Sequence, residues 1–285
     1  NVFIRAAAER LSAAGVGVDV FTRARDERRP EVQELGNGSR LINIQAGPNA
    51  PVPKDELPRF LPEFLGGVLS RARAEGSDYA LVHTHYWLSG WVGRSAREIW
   101  GVPLVASFHT LGKVKNYSLA RGERPEPPFR LSGEERVIAD ADRLVAATPV
   151  EAAQLVGLYR AEPDRIRIVP PGVDHGLFFP RDRGGAKARL HLADLRLLLF
   201  VGRLQAHKGP DVAVRAVAEA VARDPGGTRD VVLAIVGGPS GTDHGAEVAR
   251  LMDLASALGV GERVILFPPQ PQSRLADFFS AAELV

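Results

Sequence analysis

The sequence predicts an α/β protein of two Rossmann-like domains, and three observations carry that reading. Apolar runs of strand length alternate with segments of helical periodicity through the whole chain. The alternation is interrupted once, by a Pro/Gly/Arg-rich stretch, "VPPGVDHGLFFPRDRGGA", that runs from Val169 to Ala186. The chain has 285 residues, 45% of them hydrophobic, which suffices for two medium cores.

Before the interruption, strands are expected at "GVDVF", "RLINIQ", "YALVH", "PLVASF", "RLVAA" and "RIRIV"; after it, at "RLLLFVG", "VVLAIVGG" and "RVILF". Strands joined through helices by short connections make parallel sheets covered on both faces. The chain opens in a helical pattern through Val2, Ile4 and Leu11. Further helices are expected over Leu88 to Trp100, over Pro210 to Ala222 with a stripe of Val212, Val214 and Val217, and over Ala246 to Leu258 with Val248, Leu251, Met252 and Leu254. The charged segment "RARDERRPEVQELGNGS" reads as an exposed loop. The domain boundary falls after Asp174, giving domains 1–174 and 175–285. The closing "AAELV" reads as the start of another strand. The chain is therefore expected to be cut at both ends, its second domain incomplete, with little or no turnover as written.

Composition narrows the chemistry. There is no cysteine, so disulfides, zinc-thiolate sites and cysteine nucleophiles are excluded. The net charge is +2 and no basic run is interleaved with aromatics, so nucleic acid is not an expected partner. No apolar run approaches the roughly 20 residues that span a bilayer, and no signal-peptide layout opens the chain, so a cytoplasmic location is expected.

Polar residues gather at the carboxyl ends of strands, where open α/β sheets bind ligands. In "VHTHYWLSG" a strand delivers His83, His85 and Tyr86; in "SFHTLGKVKN" the next delivers His109 and Thr110, followed by Lys113, Lys115 and Asn116. Hydroxyls and imidazoles at neighbouring strand ends suit a polyol or sugar phosphate. His83, His85 and His109 also have the makings of a zinc set, but with no nearby carboxylate the His-x-His pair reads more readily as a hydrogen-bonding pair. Trp87 and Trp91, at helical spacing, read as core. In "RGERPEPPFRLSGEERVIADAD", Ser132 and Glu135 have the spacing of a capping box, which places Arg130 just ahead of a helix. The second domain opens with "FVGRLQAHKGPD", where Arg203 and Lys208 flank a turn into a helix N-terminus. Free amides and two cations there suit a diphosphate, although from spacing alone both stand equally well as solvated loop charges. The dinucleotide-binding glycine fingerprint and the Walker lysine motif are absent.

The segments "AGPNAPVPKDELPRFLPEF", "VHTHYWLSGWVG", "PLVASFHTLGKVKN", "RPEPPFRLSGEERVIADADRLVAAT", "RIRIVPPGVDHGLFFP" and "FVGRLQAHKGPDV", in this order, resemble the retaining glycosyltransferases of family four. "PVPKDELP" and "HTLGKVKN" resemble most closely the members of mycothiol biosynthesis that glycosylate an inositol phosphate. The resemblance implies a GT-B fold, two Rossmann-like domains facing across a cleft, and transfer of N-acetylglucosamine from UDP-N-acetylglucosamine with retention. It implies that Lys54, Tyr86, Thr110 and Arg130 hold the acceptor phosphate, that Asn1 also contacts the acceptor, and that His109 lies near the anomeric carbon. Arg203 and Lys208 would neutralise the donor diphosphate, and Gln270 would face the uracil. Backbone carbonyls of Phe279, Ser280 and Ala282 would hold a divalent ion such as Mg2+ in a structural role. Expected partners are small-molecule substrates, with a homodimer allowed. Two alternatives stay open: another family-four enzyme of the sucrose-phosphate-synthase type, and a non-catalytic sugar-phosphate-binding protein of the same fold.

Overall fold

The computed structural model describes residues 2–36, 38–119, 124–238 and 245–285, which form two compact units, one up to Leu119 and from Arg124 to Pro171, the other from Gly172 to Val285. Among the described residues, no helix is long and apolar enough to cross a membrane.

The first unit runs α1 (Val2–Ala13), β1 (Val18–Arg23), β2 (Val32–Gly36), β3 (Ser39–Ile44), a 3-10 helix over Lys54–Phe60, α2 (Leu61–Glu75), β4 (Val82–His85), α3 (Trp87–Trp100), β5 (Leu104–Ser107), α4 (Gly112–Tyr117), α5 (Pro128–Asp140), β6 (Arg143–Ala146), α6 (Pro149–Tyr159) and β7 (Ile166–Ile168). Its strands lie in two sheets. One is wholly parallel in the order β4-β5-β6-β7; the other has the order β1-β3-β2. Leu104, Phe108, Val137, Ile138, Leu144 and Leu155 form the core beneath the parallel sheet. The smaller sheet packs Ile42 and Ile44 against Val68 of α2. Tyr79 joins the two parts: its hydroxyl donates to Asp19 on β1 at 2.8 Å, and its ring lies 4.8 Å from that of Trp100 at the end of α3. Arg40 of β3 holds the same Asp19 through two bonds of 2.8 and 2.7 Å.

Three expectations are corrected here. The charged segment is not all loop, because Val32–Gly36 forms β2, antiparallel to β3. An antiparallel strand at a sheet edge needs only one apolar face, and here Leu35 alone is buried among charged neighbours. Next, α5 begins at Pro128 with Pro127 as its N-cap, so Ser132 lies inside the helix, its hydroxyl donating to the Phe129 carbonyl, and forms no capping box. Proline at a first helical position lacks only a donor that would go unused, which is why the Pro-Pro pair opens the helix rather than breaking it. Lastly, Trp87 is buried but Trp91 is 37% exposed, its ring 5.8 Å from the Arg136 guanidinium.

The second unit contains α7 (Arg183–Arg189), β8 (Arg196–Val201), α8 (Pro210–Arg223), β9 (Val231–Val236), α9 (Ala246–Ala257), β10 (Val264–Phe267), α10 (Gln272–Ala281) and β11 (Ala282–Leu284). Its sheet is parallel throughout, in the order β10-β9-β8-β11. Every residue of β9, "VVLAIV", is buried, as a central strand covered on both faces requires. One core layer includes Leu197, Leu199 and Phe278; the other includes Val214, Val217, Ile235 and Leu251. At the carboxyl ends of β8 and β9 the chain is pressed together: a Cβ on Gly237 would lie 1.8 Å from the carbonyl oxygen of Gly202. Only glycine fits at position 237 beside the Gly202 turn.

Candidate active site

Strands β4 and β5 end side by side, their pairing extended by the Tyr86 N–H donating to the Ser107 carbonyl at 2.7 Å. Each chain then takes a conformation unusual for its residue, with φ of 80° at Tyr86 and 60° at His109. Positive φ in non-glycine residues costs energy and is concentrated at ligand sites. Ser89, in the first turn of α3, donates to the Tyr86 carbonyl at 2.9 Å and helps hold that backbone.

The three histidines meet at these strand ends. His83 Nε2 and Ser107 Oγ are 2.9 Å apart, as are His85 Nδ1 and His109 Nε2, and the His85 and His109 rings stack at 5.1 Å. Burial pushes the His85 imidazole down to about 3, helped by the charge that its His83 and His109 neighbours would carry. Burial likewise lowers His83 and His109, the latter opposed by Glu151. All three are therefore neutral near pH 7, and His109 can give or take a hydrogen bond but carries no positive charge. Phe3 of α1 lies edge-on to His109 at 5.2 Å. Among the described residues no group of three His, Asp or Glu side chains is arranged to hold a metal ion.

Beside the histidines, four residues distant in sequence converge. Arg130, on the first turn of α5, is 1% exposed; its Nη2 donates to the Thr110 carbonyl at 3.0 Å and hydroxyl at 3.2 Å. Its guanidinium carbon stands 5.1 Å from the centre of the Tyr86 ring, and the Lys54 ammonium lies 5.7 Å from the same ring. The loop that leads to Lys54 is laced down by Arg23, which donates to the carbonyls of Ala46, Pro48 and Ala50. The Tyr86 hydroxyl is buried with no hydrogen-bond partner among the described residues. Buried polar atoms are nearly always paired, and this unpaired hydroxyl belongs to a ring that the Arg130 and Lys54 cations both approach. Asn1, expected to contact the acceptor, lies outside the described residues.

Arg130 owes its burial to two carboxylates that sequence reasoning did not single out. Glu126 lies 2.8 Å from its Nη1 and Glu134 2.7 Å from its Nε. Glu134, itself fully buried, also accepts from the Gly112 N–H and from the Tyr159 hydroxyl. Gly112 has no room for a side chain, since a Cβ would sit 2.7 Å from Leu131 and 3.2 Å from Arg130 Nε. Burial works to lower the Arg130 pKa, but Glu134 and Glu126 more than offset it, so the arginine stays charged. Glu126 further pairs with Lys54 at 3.1 Å and with Lys115. The signal was present as E-x-x-x-R-x-x-x-E: Glu134 lies one helical turn after the arginine within α5, while Glu126 precedes the helix, whose start at Pro128 the Pro-Pro pair disguised.

In the second unit, β8 runs into Gly202 and Arg203, then a 3-10 turn over Ala206–Lys208, and Gly209 in the left-handed conformation caps α8. Arg203 and Lys208 are exposed. Gln270 follows β10, and its side-chain amide donates to the Pro268 carbonyl at 2.7 Å. Because the sheet is parallel, residues after β8, β9 and β10 share one edge, so Arg203, Lys208 and Gln270 are placed along it, with the N-terminus of α8 opening there. Phe279, Ser280 and Ala282 lie where α10 passes into β11, at the opposite edge. A helix end leaves carbonyl oxygens without intrahelical partners, and such oxygens suit a hard cation.

A parallel α/β unit with cations and a helix N-terminus along one edge of its sheet, and another α/β unit that gathers cations and hydroxyls at its strand ends, make the GT-B class of glycosyltransferase. The chain belongs to the family-four glycosyltransferases: residues 1–172 match the glycosyl transferase 4-like domain and residues 186–285 match glycosyl transferases group 1. It is 52% identical over 284 residues to the D-inositol 3-phosphate glycosyltransferase of Acidothermus cellulolyticus, covering 99% of this chain and 63% of that protein. It is 50% identical over 292 residues to the one from Thermomonospora curvata, covering 100% of this chain and 68% of that protein. The chain thus spans about two thirds of the length of the curated relatives it matches. Among solved structures, sucrose-phosphate synthase from Thermosynechococcus elongatus superposes with a TM-score of 0.87 at 33% identity, over 99% of this chain and 67% of that one. Anabaena HepE in complex with UDP and glucose shares the fold, with a TM-score of 0.65 at 17% identity, over 87% of this chain and 60% of that one.

Proposed function

We propose that this chain is the acceptor-binding and diphosphate-binding part of a retaining glycosyltransferase that moves N-acetylglucosamine from UDP-N-acetylglucosamine to 1D-myo-inositol 3-phosphate. The observation that carries the reading is the meeting of Lys54, Thr110 and Arg130 about Tyr86, whose hydroxyl is buried with no hydrogen-bond partner among the described residues. Two cations and two hydroxyls are the complement of a phosphate dianion. Identities of 50% and 52% to proteins named for that acceptor support the same choice.

In this reading the first unit binds and orients. Arg130 is preorganised, its guanidinium held by the buried Glu134 and by Thr110, so little order is lost when the phosphate arrives. His109, neutral at working pH, accepts from or donates to a hydroxyl of the transferred sugar. The second unit stabilises the departing UDP: Arg203 and Lys208 are exposed, and the N-terminus of α8 adds a positive field where negative charge develops. The leaving phosphate itself takes the acceptor proton. Gln270 serves the uracil. The carbonyls of Phe279, Ser280 and Ala282 would offer neutral oxygens to Mg2+, which would brace the α10–β11 junction on the edge away from the chemistry. A cytoplasmic location fits a UDP-sugar donor.

The sucrose-phosphate-synthase reading is favoured by one observation, the TM-score of 0.87 at 33% identity. Assaying the full-length protein with UDP-N-acetylglucosamine and inositol phosphate, and separately with UDP-glucose and fructose 6-phosphate, decides between them. UDP release with the first pair alone supports the proposal; release with the second pair alone overturns it.

A further inference from the structure

Resting on the acceptor reading above, one feature of the cation cluster goes beyond it. The cations already hold an anion. Glu126, its side chain 9% exposed, pairs with Arg130 at 2.8 Å, with Lys54 at 3.1 Å and with Lys115. The same Lys54 and Arg130 lie 5.7 and 5.1 Å from the centre of the Tyr86 ring, whose hydroxyl is buried with no hydrogen-bond partner among the described residues. A carboxylate and a phosphate dianion compete for those nitrogens, because the two like charges would repel at contact distance.

We propose that Glu126 is a positioning residue that acts as an internal competitor: it holds Lys54, Lys115 and Arg130 together in the empty site, and a ligand phosphate binds by displacing its carboxylate. The surroundings permit the exchange. Arg130 keeps Glu134 and Thr110 when Glu126 leaves, so no buried charge is orphaned. Lys54 and Lys115 have side chains 46% and 43% exposed and can follow a new partner. The Glu126 backbone is pinned, its N–H donating to Asn116 Oδ1 at 2.7 Å, so the movement is a side-chain rotation rather than a loop opening. A binding-competent state that is only partly populated weakens apparent affinity by that fraction, and removing the competitor restores it.

The test is calorimetric titration of the full-length protein with inorganic phosphate and, separately, with inositol phosphate. Glu126→Gln is expected to tighten both by roughly tenfold. Asn116→Ala, which frees the Glu126 backbone and keeps its charge, is expected to tighten both by a smaller factor, and it decides the matter should Glu126→Gln not fold. A purely structural role for Glu126 would weaken binding in both variants. Parent protein that binds inositol phosphate while the folded variants bind it equally or more weakly overturns the proposal and leaves the acceptor reading standing. Parent and variants that bind neither ligand overturn the acceptor reading and the proposal with it.

Discussion

Arg130 Nη2 donates to both the main-chain carbonyl and the hydroxyl of Thr110, at 3.0 and 3.2 Å. The contact ties the loop after β5 to the first turn of α5 and fixes the Thr110 hydroxyl as acceptor, leaving its own proton for a ligand oxygen. Thr110→Val should therefore leave the fold intact and raise the acceptor KM. Hydrogen bonds to charged groups are worth about 1.5–3 kcal/mol, so an increase of roughly tenfold to a hundredfold is expected. Steady-state kinetics with inositol phosphate as the varied substrate measures it; an unchanged KM would remove Thr110 from the phosphate site.

Tyr86→Phe separates stability from binding. The hydroxyl is buried without a partner, so its removal should leave the thermal midpoint unchanged or raise it, an unsatisfied buried group costing about 1–3 kcal/mol. The acceptor KM should rise in the same variant. A lowered midpoint together with an unchanged KM would mean that the hydroxyl serves the fold and not the ligand.

Lys208→Ala should act on turnover. If its charge matters most as UDP departs, kcat should fall about 100-fold or more while the acceptor Kd stays within a factor of about two, since acceptor contacts belong to the other unit. Equal kcat in variant and parent would make Lys208 an ordinary loop charge.

The histidine cluster gives the stability curve a sign. His85 falls from 6.5 to about 3 on folding, through burial first and then its two imidazole neighbours. Above pH 6.5 it is neutral in both states and costs nothing; below, the unfolded chain takes up the proton and the native state does not, so stability declines from 6.5 towards 3. His83 and His109 shift in the same direction. Glu126 adds a later loss. Burial works to raise its pKa, but bonds from Lys115 and Arg130 hold it at about 2 against 4.5, so its contribution declines as pH falls from 4.5 to 2. Thermal unfolding between pH 7 and 5 should have a shallower slope in His85→Gln than in the parent; parallel slopes would contradict the lowered imidazole.

Much of the fold was legible because strands buried on both faces, such as "VVLAIV", carry their signal in every residue. An edge strand does not. Val32–Gly36 passed for a charged loop because only one of its faces is apolar. The site was legible where polar residues follow a strand, at Tyr86, His109 and Thr110, and much less so where a charge lies inside a helix. Arg130 alone reads as a surface residue; what buries it is Glu126 and Glu134, whose i±4 spacing has meaning only once Pro128 is known to start α5. Gly112, which admits the Glu134 carboxylate to its N–H, gives no sequence signal of that contact.

The central claim is that Arg130 and its neighbours hold the phosphate of an inositol phosphate acceptor for sugar transfer. UDP release by the full-length protein with UDP-N-acetylglucosamine, measured with inositol phosphate and with unphosphorylated myo-inositol, tests it most directly. Turnover is expected with the phosphorylated acceptor, at least about 100-fold less with the unphosphorylated one, as loss of a charged ligand group from a built site implies, and that preference is expected to be removed in Lys54→Gln. Equal rates with the two acceptors, or a preference that survives Lys54→Gln undiminished, would contradict it.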